Sequence, residues 1–497
     1  MQHLDVQPAK TLTADATASP ALNSPAAPKR VNLPPAARRT DTANARRFAR
    51  QWRNKVKYVP VRRKWFLWNG RRWHEDTQDA VFELAKKTAL SIFTEASDET
   101  LSTEEARELG KWAAESLCAR QLRAMIALAG SERGIATAPD DFDRHPYVLN
   151  TPQGVVDLRT GALREAQPED LLRQMTRVGP GEGTPTRWLQ FLNELFLGDQ
   201  ELIDYVQKVL GYALLGRVQE HILVVCWGRG GNGKSTLLET VSELLGDYTY
   251  ILPEGALLKS RFDDKTASWL GQLYGRRFVL AQETDQGREL SESFVKNLTG
   301  GDTRNAKLLY ENPFTYTPSD TIFMATNYRP HIQGGDYGIW RRVKLIPFRL
   351  NLPEDQQEKG LREKLIATEG PQILQWLVEG CVAYLAEGLH DPQAVREATA
   401  DYRAESDSVG AYLAISTRPA VNGKIKASVL HEAYALWCEN SNMRALSPKA
   451  FNSEVSDRGI LSEHSRDGKV FLGIEFSLDM RRPFDDPFDS PEGFLAA

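Results

Sequence analysis

The chain has 497 residues, with 62 Lys plus Arg against 66 Asp plus Glu and 41% hydrophobic residues. No apolar run is long enough to span a bilayer, and the first residues lack the basic and apolar regions of a secretion signal. The four cysteines, Cys118, Cys226, Cys381 and Cys438, form no C-x-x-C unit, which argues against a zinc ribbon and for a reducing, cytoplasmic setting without membrane.

Residues 1–44 are rich in Ala, Pro, Thr and Ser and are expected to form a disordered tail. The net charge of −4 says nothing for a polyanion, but its distribution does. Arg39, Arg46, Arg47, Arg50, Arg53, Lys55, Lys57, Arg62, Arg63, Lys64 and Arg71 crowd between Arg38 and Arg72, with only Asp41 acidic. Such a block suits a polyanion contact or, equally, a solvated face. Within it, Trp65 to Trp73 reads as a hairpin with Asn69-Gly70 as a two-residue turn. That turn pairs Trp68 with Arg71 and Phe66 with Trp73, so Phe66, Trp68 and Trp73 share a core-facing side. Ala80 to Ala129 has helical periodicity, and Tyr147 to Gly161 is a second strand-turn unit. Asp141 and Asp143 follow Pro139 rather than an apolar strand, so no rigid sheet aims them at metal ions.

After helical segments at 188–197 and 202–214 comes the apolar run Ile222 to Trp227. It leads into Gly228-Arg229-Gly230-Gly231-Asn232-Gly233-Lys234-Ser235 and then Thr236 to Val241. Strand, glycine-rich loop and helix in that order suit a nucleotide phosphate chain. The glycines let N–H groups curl around phosphates, Lys234 adds a point charge, and Ser235 offers a hydroxyl to Mg²⁺ at the positive helix end. Phe278 to Ala281 is a strand ending in Gln282-Glu283, where Glu283 can orient water and help hold Mg²⁺. Gln282 offers a weaker contact, and Asp285 lies past the strand. Thr321 to Thr326 is another buried strand, ending in Asn327, whose amide can meet both γ-phosphate and water. Between them, a hairpin turning near Asn312-Pro313 carries Arg304, Lys307 and Tyr310, which could grip a phosphate backbone. Arg341 and Arg342 lie far along the chain from their own loop and suit a finger inserted into a neighbour's site.

Helices surround 361–389. The C-terminal part then reads as a winged helix: an apolar face of Val429, Leu430, Ala433, Tyr434 and Trp437, an N-cap at Ser447-Pro448, and a β-wing around Asp467-Gly468. Lys449, Asn452, Arg466 and Lys469 are its DNA candidates.

Together the glycine loop, Ala281 to Thr284, Val295-Lys296 with Leu298 to Asp302, Ala325 to Asn327, and Ile339 to Arg342 with Ile346 to Phe348 resemble superfamily 3 helicases. The nearest subgroup is the phage, plasmid and poxvirus primase-helicase family. Upstream, Thr40 to Phe48, the Trp68-Asn69-Gly70 hairpin and Asn150 to Gly161 are similar to its N-terminal helicase-associated domain. The resemblance implies an α/β fold: an AAA+-like P-loop ATPase core, an α+β N-terminal domain and a C-terminal winged helix. The expected divisions are a tail to 44, the helicase-associated domain at 45–187, the core at 188–349, a helical connector at 350–404, the winged helix at 405–478 and a flexible tail at 479–497. It implies ATP and Mg²⁺ as cofactors, single-stranded or forked DNA as partner, a hexameric homo-oligomeric ring, and replication of a mobile element. Gly228 to Thr236 would bind ATP, with Ser235 and Glu283 on the metal, Glu283 orienting water and Asn327 sensing the γ-phosphate. Arg341 is preferred over Arg342 as the finger, and Lys307 leads the DNA candidates. No primase is expected within this chain, so a separate primase would be a partner. A different P-loop DNA motor, or an ATPase that tethers DNA without unwinding it, is the alternative.

Overall fold

The computed structural model describes residues 35–259, 269–283, 288–307, 313–332, 337–441, 443, 445–465 and 468–477. They fall into two units, one drawn from the described chain up to Gln51 with Phe82–Glu132, the other from Trp52–Val81 with the described residues from Arg133 onward.

The first unit is helical. Its opening helix, Asp41–Trp52, starts inside the segment expected to be tail, which corrects that boundary. The reason is a buried polar anchor that composition does not reveal. Asn44 is fully buried, donates to Ser116 Oγ at 2.9 Å and accepts from Trp112 Nε1 at 3.1 Å. Arg47, six per cent exposed, donates from Nε to both carboxylate oxygens of Glu95 at 2.9 and 3.0 Å, and Arg39 meets Glu108 at 2.9 Å. Two members of the basic block are therefore neutralised within the fold. Ser102 and Glu105 form a reciprocal capping box on the helix Thr103–Ser116.

The second unit opens with an antiparallel sheet of Val56–Val59, Lys64–Trp68 and Trp73–Glu75. Its register differs from the expected one: Trp68 faces Trp73 and Phe66 faces Glu75. The loop is Asn69–Arg72, closed by Asn69 Oδ1 accepting from the N–H groups of Arg71 and Arg72 at 3.0 and 2.9 Å. The displacement is two residues, so every side chain keeps its face. Phe66 and Trp73 are buried with Phe142, and Trp68 packs against them.

The heart of this unit is a five-stranded parallel sheet. In spatial order its strands are Val343–Pro347, Leu223–Trp227, Thr321–Thr326, Phe278–Glu283 and Thr249–Ile251. These strands are almost continuously apolar because both faces are covered. Val224 and Cys226 enter one core with Leu237 and Leu238, while Leu223 and Val225 enter the other with Met324 and Val295. The helix Leu361–Glu387 belongs to the first of these cores through Leu374, Leu377 and Cys381.

The last segment has helices Ser408–Ser416, Ala427–Asn440 and Pro448–Asp457. They accompany an antiparallel sheet in which Gly468–Phe476 lies between Thr417–Lys426 and Ser462–Ser465. Ser447 caps its helix by accepting from the Ala450 N–H. The strand Thr417–Lys426 had no counterpart in the sequence reading. Its alternation is weak, and a bulge between Pro419 and Lys424 leaves Val421 fully exposed. Among the described residues no helix is long and apolar enough to cross a membrane.

Candidate nucleotide-binding site

The sheet places three chain segments side by side at the C-terminal ends of its strands. Parallel register sets Trp227 beside Thr326 on one side and Pro347 on the other, with Glu283 beside Thr326. The glycine loop, Asn327 and Gln282-Glu283 therefore converge although they are distant in sequence.

Glycine is required at two loop positions. A Cβ at Gly228 would lie 2.3 Å from both the Phe348 carbonyl and Asn232 Nδ2. Gly233 has φ +77°, and a Cβ there would meet Leu195 at 2.7 Å. Gly233 turns the chain into the helix Lys234–Leu245, whose first N–H groups have no carbonyl partner in their own helix. Arg229, Gly230, Gly231 and Ser235 are exposed, Thr236 is half-buried, and Asn232 and Lys234 are buried. A narrow backbone cradle with an exposed hydroxyl at a helix N-terminus fits a triphosphate with Mg²⁺.

Lys234 is the hub. Its ammonium donates to the Gly228 carbonyl at 2.6 Å, Asn232 Oδ1 at 2.9 Å and Asn327 Oδ1 at 3.1 Å. Burial pulls its pKa down from 10.5 to about 8. The Asn232 amide donates to the Phe348 carbonyl at 3.2 Å, tying the loop to the neighbouring strand. The backbone of Glu283 ends its strand beside Thr326, while its side chain lies outside the described residues, as does Asp285. Gln282 is exposed and borders a cavity of about 730 Å³. Three ion pairs line that cavity: Arg72–Asp247, Arg177–Glu243 and Arg362–Glu239.

Other expected residues lie elsewhere. Arg341 is exposed, and Arg342 folds back to donate to the Gly338 carbonyl at 2.6 Å. Both precede the strand Val343–Pro347, so its length of roughly 16 Å separates them from their own loop. The hairpin forms, pairing Arg304–Ala306 with Phe314–Tyr316. Lys307 is exposed beside it, while Tyr310 and the turn at Asn312 lie outside the described residues. Arg304 is a correction. It is four per cent exposed and locked onto buried Asp320, so it is closed to any backbone phosphate.

Arg329 carries no signal in the local sequence. Its guanidinium stacks 3.8 Å from the Trp227 ring centre and pairs with Glu405 at 2.6 Å. No local pattern links residues so far apart. Only the adjacency of the two parallel strands could have suggested it.

The pattern described as "D5 N terminal like" matches residues 45–197, and one described as a family of unknown function matches residues 226–342. Over 301 residues the chain is 29% identical to "Putative helicase L207/L206" of Acanthamoeba polyphaga mimivirus, covering 55% of this chain and 31% of that protein. Over 211 residues it is 25% identical to "Putative primase C962R" of African swine fever virus, covering 41% and 22%. These matches make the chain similar to viral proteins of the primase-helicase family. The chain spans about a third or less of the length of these two curated relatives. A solved structure entitled "The A form apo structure of NrS-1 C terminal region-CTR" aligns at TM-score 0.45 and 10% identity, covering 84% of this chain and 96% of that one. The "D5 N terminal like" match takes in both the Trp-rich hairpin and the sheet that contains Asn150.

Proposed function

We propose that this chain is an ATP-dependent, ring-forming DNA helicase serving replication of a phage, plasmid or integrated element. The observation that carries the reading is the meeting of Lys234 with Asn327 at 3.1 Å in a glycine cradle at the C-terminal ends of parallel strands. The helicase name of the mimivirus relative supports it.

Bound MgATP would supply the phosphoanhydride whose hydrolysis drives the cycle. Gly228 to Thr236 would hold it through loop N–H groups, with Lys234 on the phosphates and Ser235 toward the metal. Glu283 would orient water and share the metal. Asn327 would meet the γ-phosphate through its amide, exchanging its present contact with Lys234. Arg341 is the better finger because it is exposed while Arg342 is turned back on Gly338. Its place at the far end of its strand favours action on a neighbour's nucleotide in a hexameric ring. Lys307 would touch single-stranded or forked DNA. The core would span 188–349, between a helicase-associated domain and a connector leading to a winged helix from 405. In that last segment Lys469 already donates to Ser456 Oγ at 3.0 Å, leaving Lys449 the better DNA candidate. A primase would act as a separate partner.

The test is strand displacement on a forked duplex. Wild type should separate the strands only with hydrolysable ATP, and Lys234→Ala should abolish both hydrolysis and displacement. Hydrolysis stimulated by DNA without displacement would assign the chain to a different class of DNA motor.

A further inference from the structure

Arg304 and Asp320 form a two-point ion pair away from the loop. Nη1 reaches Oδ1 at 2.7 Å and Nη2 reaches Oδ2 at 3.1 Å, with the side chains three and zero per cent exposed. Nη2 also donates to the carbonyl of Leu298, at the end of the helix Glu292–Leu298. Taking both charges out of water is costly, and well-packed apolar residues often serve stability equally well. What the pair adds is direction: a fork of parallel hydrogen bonds fixes angle as well as distance.

Its placement gives that direction a use. Arg304 opens the hairpin, and Asp320 immediately precedes the central strand Thr321–Thr326. That strand is bonded along both edges and leads to Asn327, roughly 20 Å away, beside Lys234. The hairpin pairs with no other strand among the described residues. Side chains set its angle to the main sheet: the Arg304 fork, Tyr316 Oη donating to the Leu270 carbonyl at 2.8 Å, and the Arg62 guanidinium 5.2 Å from the Phe314 ring centre. Of these, only the fork fastens the hairpin to the strand that reaches the candidate nucleotide site.

We propose that the Arg304–Asp320 pair is a positioning strut, through which a change at the Asn327 end of the central strand re-aims the Arg304–Tyr316 hairpin. The inference rests on the nucleotide and DNA assignments above. Arg304 itself is enclosed and acts only through Asp320.

The experiment compares wild type with R304M/D320L, which removes both charges together, and with R304K, which keeps the charge but cannot form the fork. Four quantities are read: thermal midpoint, ATP hydrolysis without DNA, its stimulation by single-stranded DNA, and hydrogen exchange at amides 304–306 and 314–316 with and without a non-hydrolysable ATP analogue. Folded variants should keep basal hydrolysis within about twofold, lose about tenfold of DNA stimulation, and lose the nucleotide-dependent exchange change. If R304M/D320L fails to fold, R304K carries the same comparison. Wild-type stimulation and exchange response in a folded variant overturn the strut. So does parallel loss of basal hydrolysis in a folded variant, because the pair would then serve the catalytic site. Wild type that is stimulated by DNA but shows no exchange response at the hairpin defeats the strut and leaves the helicase reading standing. Wild type without ATP hydrolysis defeats the helicase reading itself.

Discussion

At Lys234, burial and function pull in opposite directions. Its pKa is lowered from 10.5 to about 8, so between those values the unfolded chain holds a proton that the folded chain has released. Stability linked to this group therefore rises as pH climbs through that window and is lost as pH falls toward 8. The midpoint advantage of Lys234→Met over wild type should accordingly shrink between pH 7.5 and pH 10, as read by thermal melts at about four pH values. A triphosphate favours the charged ammonium, so added nucleotide should stabilise wild type most below pH 8. Gly228→Ala belongs to the same scale. With a Cβ 2.3 Å from the Phe348 carbonyl, the loop must move, costing about 1–3 kcal/mol and ATP binding along with it. Calorimetric titration with an ATP analogue checks the second half of that statement.

Among elements, the Trp-rich hairpin shows what a local pattern can carry. Trp73 is one per cent exposed, and its indole N–H donates to the Pro168 carbonyl at 2.9 Å. Trp73→Ala should cost about 3–5 kcal/mol in denaturant melts, as burial predicts, rather than act chiefly on DNA affinity, as base stacking would. Apolar alternation identified the buried face, but the loop length was decided by the Asn69 side chain. The hairpin of Arg304–Ala306 and Phe314–Tyr316 makes the converse point. Arg304 reads as a surface cation until Asp320, sixteen residues on, is folded against it.

For the whole molecule, the decisive geometry is the separation of Arg341 from its own glycine loop by the length of a strand. Titrating Arg341→Ala protein into wild type should depress ATP hydrolysis more steeply than dilution does, because each altered subunit would disable a neighbour's site. A linear decline would show that each chain hydrolyses alone. Sedimentation with a non-hydrolysable analogue should show assembly over the same concentration range.

The glycine loop, the apolar strands around it and the Ser447 cap were legible in the chain alone, since each depends on neighbours within a few residues. Period and turn chemistry act at that range. The helix start at Asp41, the burial of Arg304 and the stacking of Arg329 on Trp227 were settled by tertiary structure. Each depends on a partner brought close only by folding, and a charged or amide side chain looks the same in sequence whether water or a buried carboxylate awaits it.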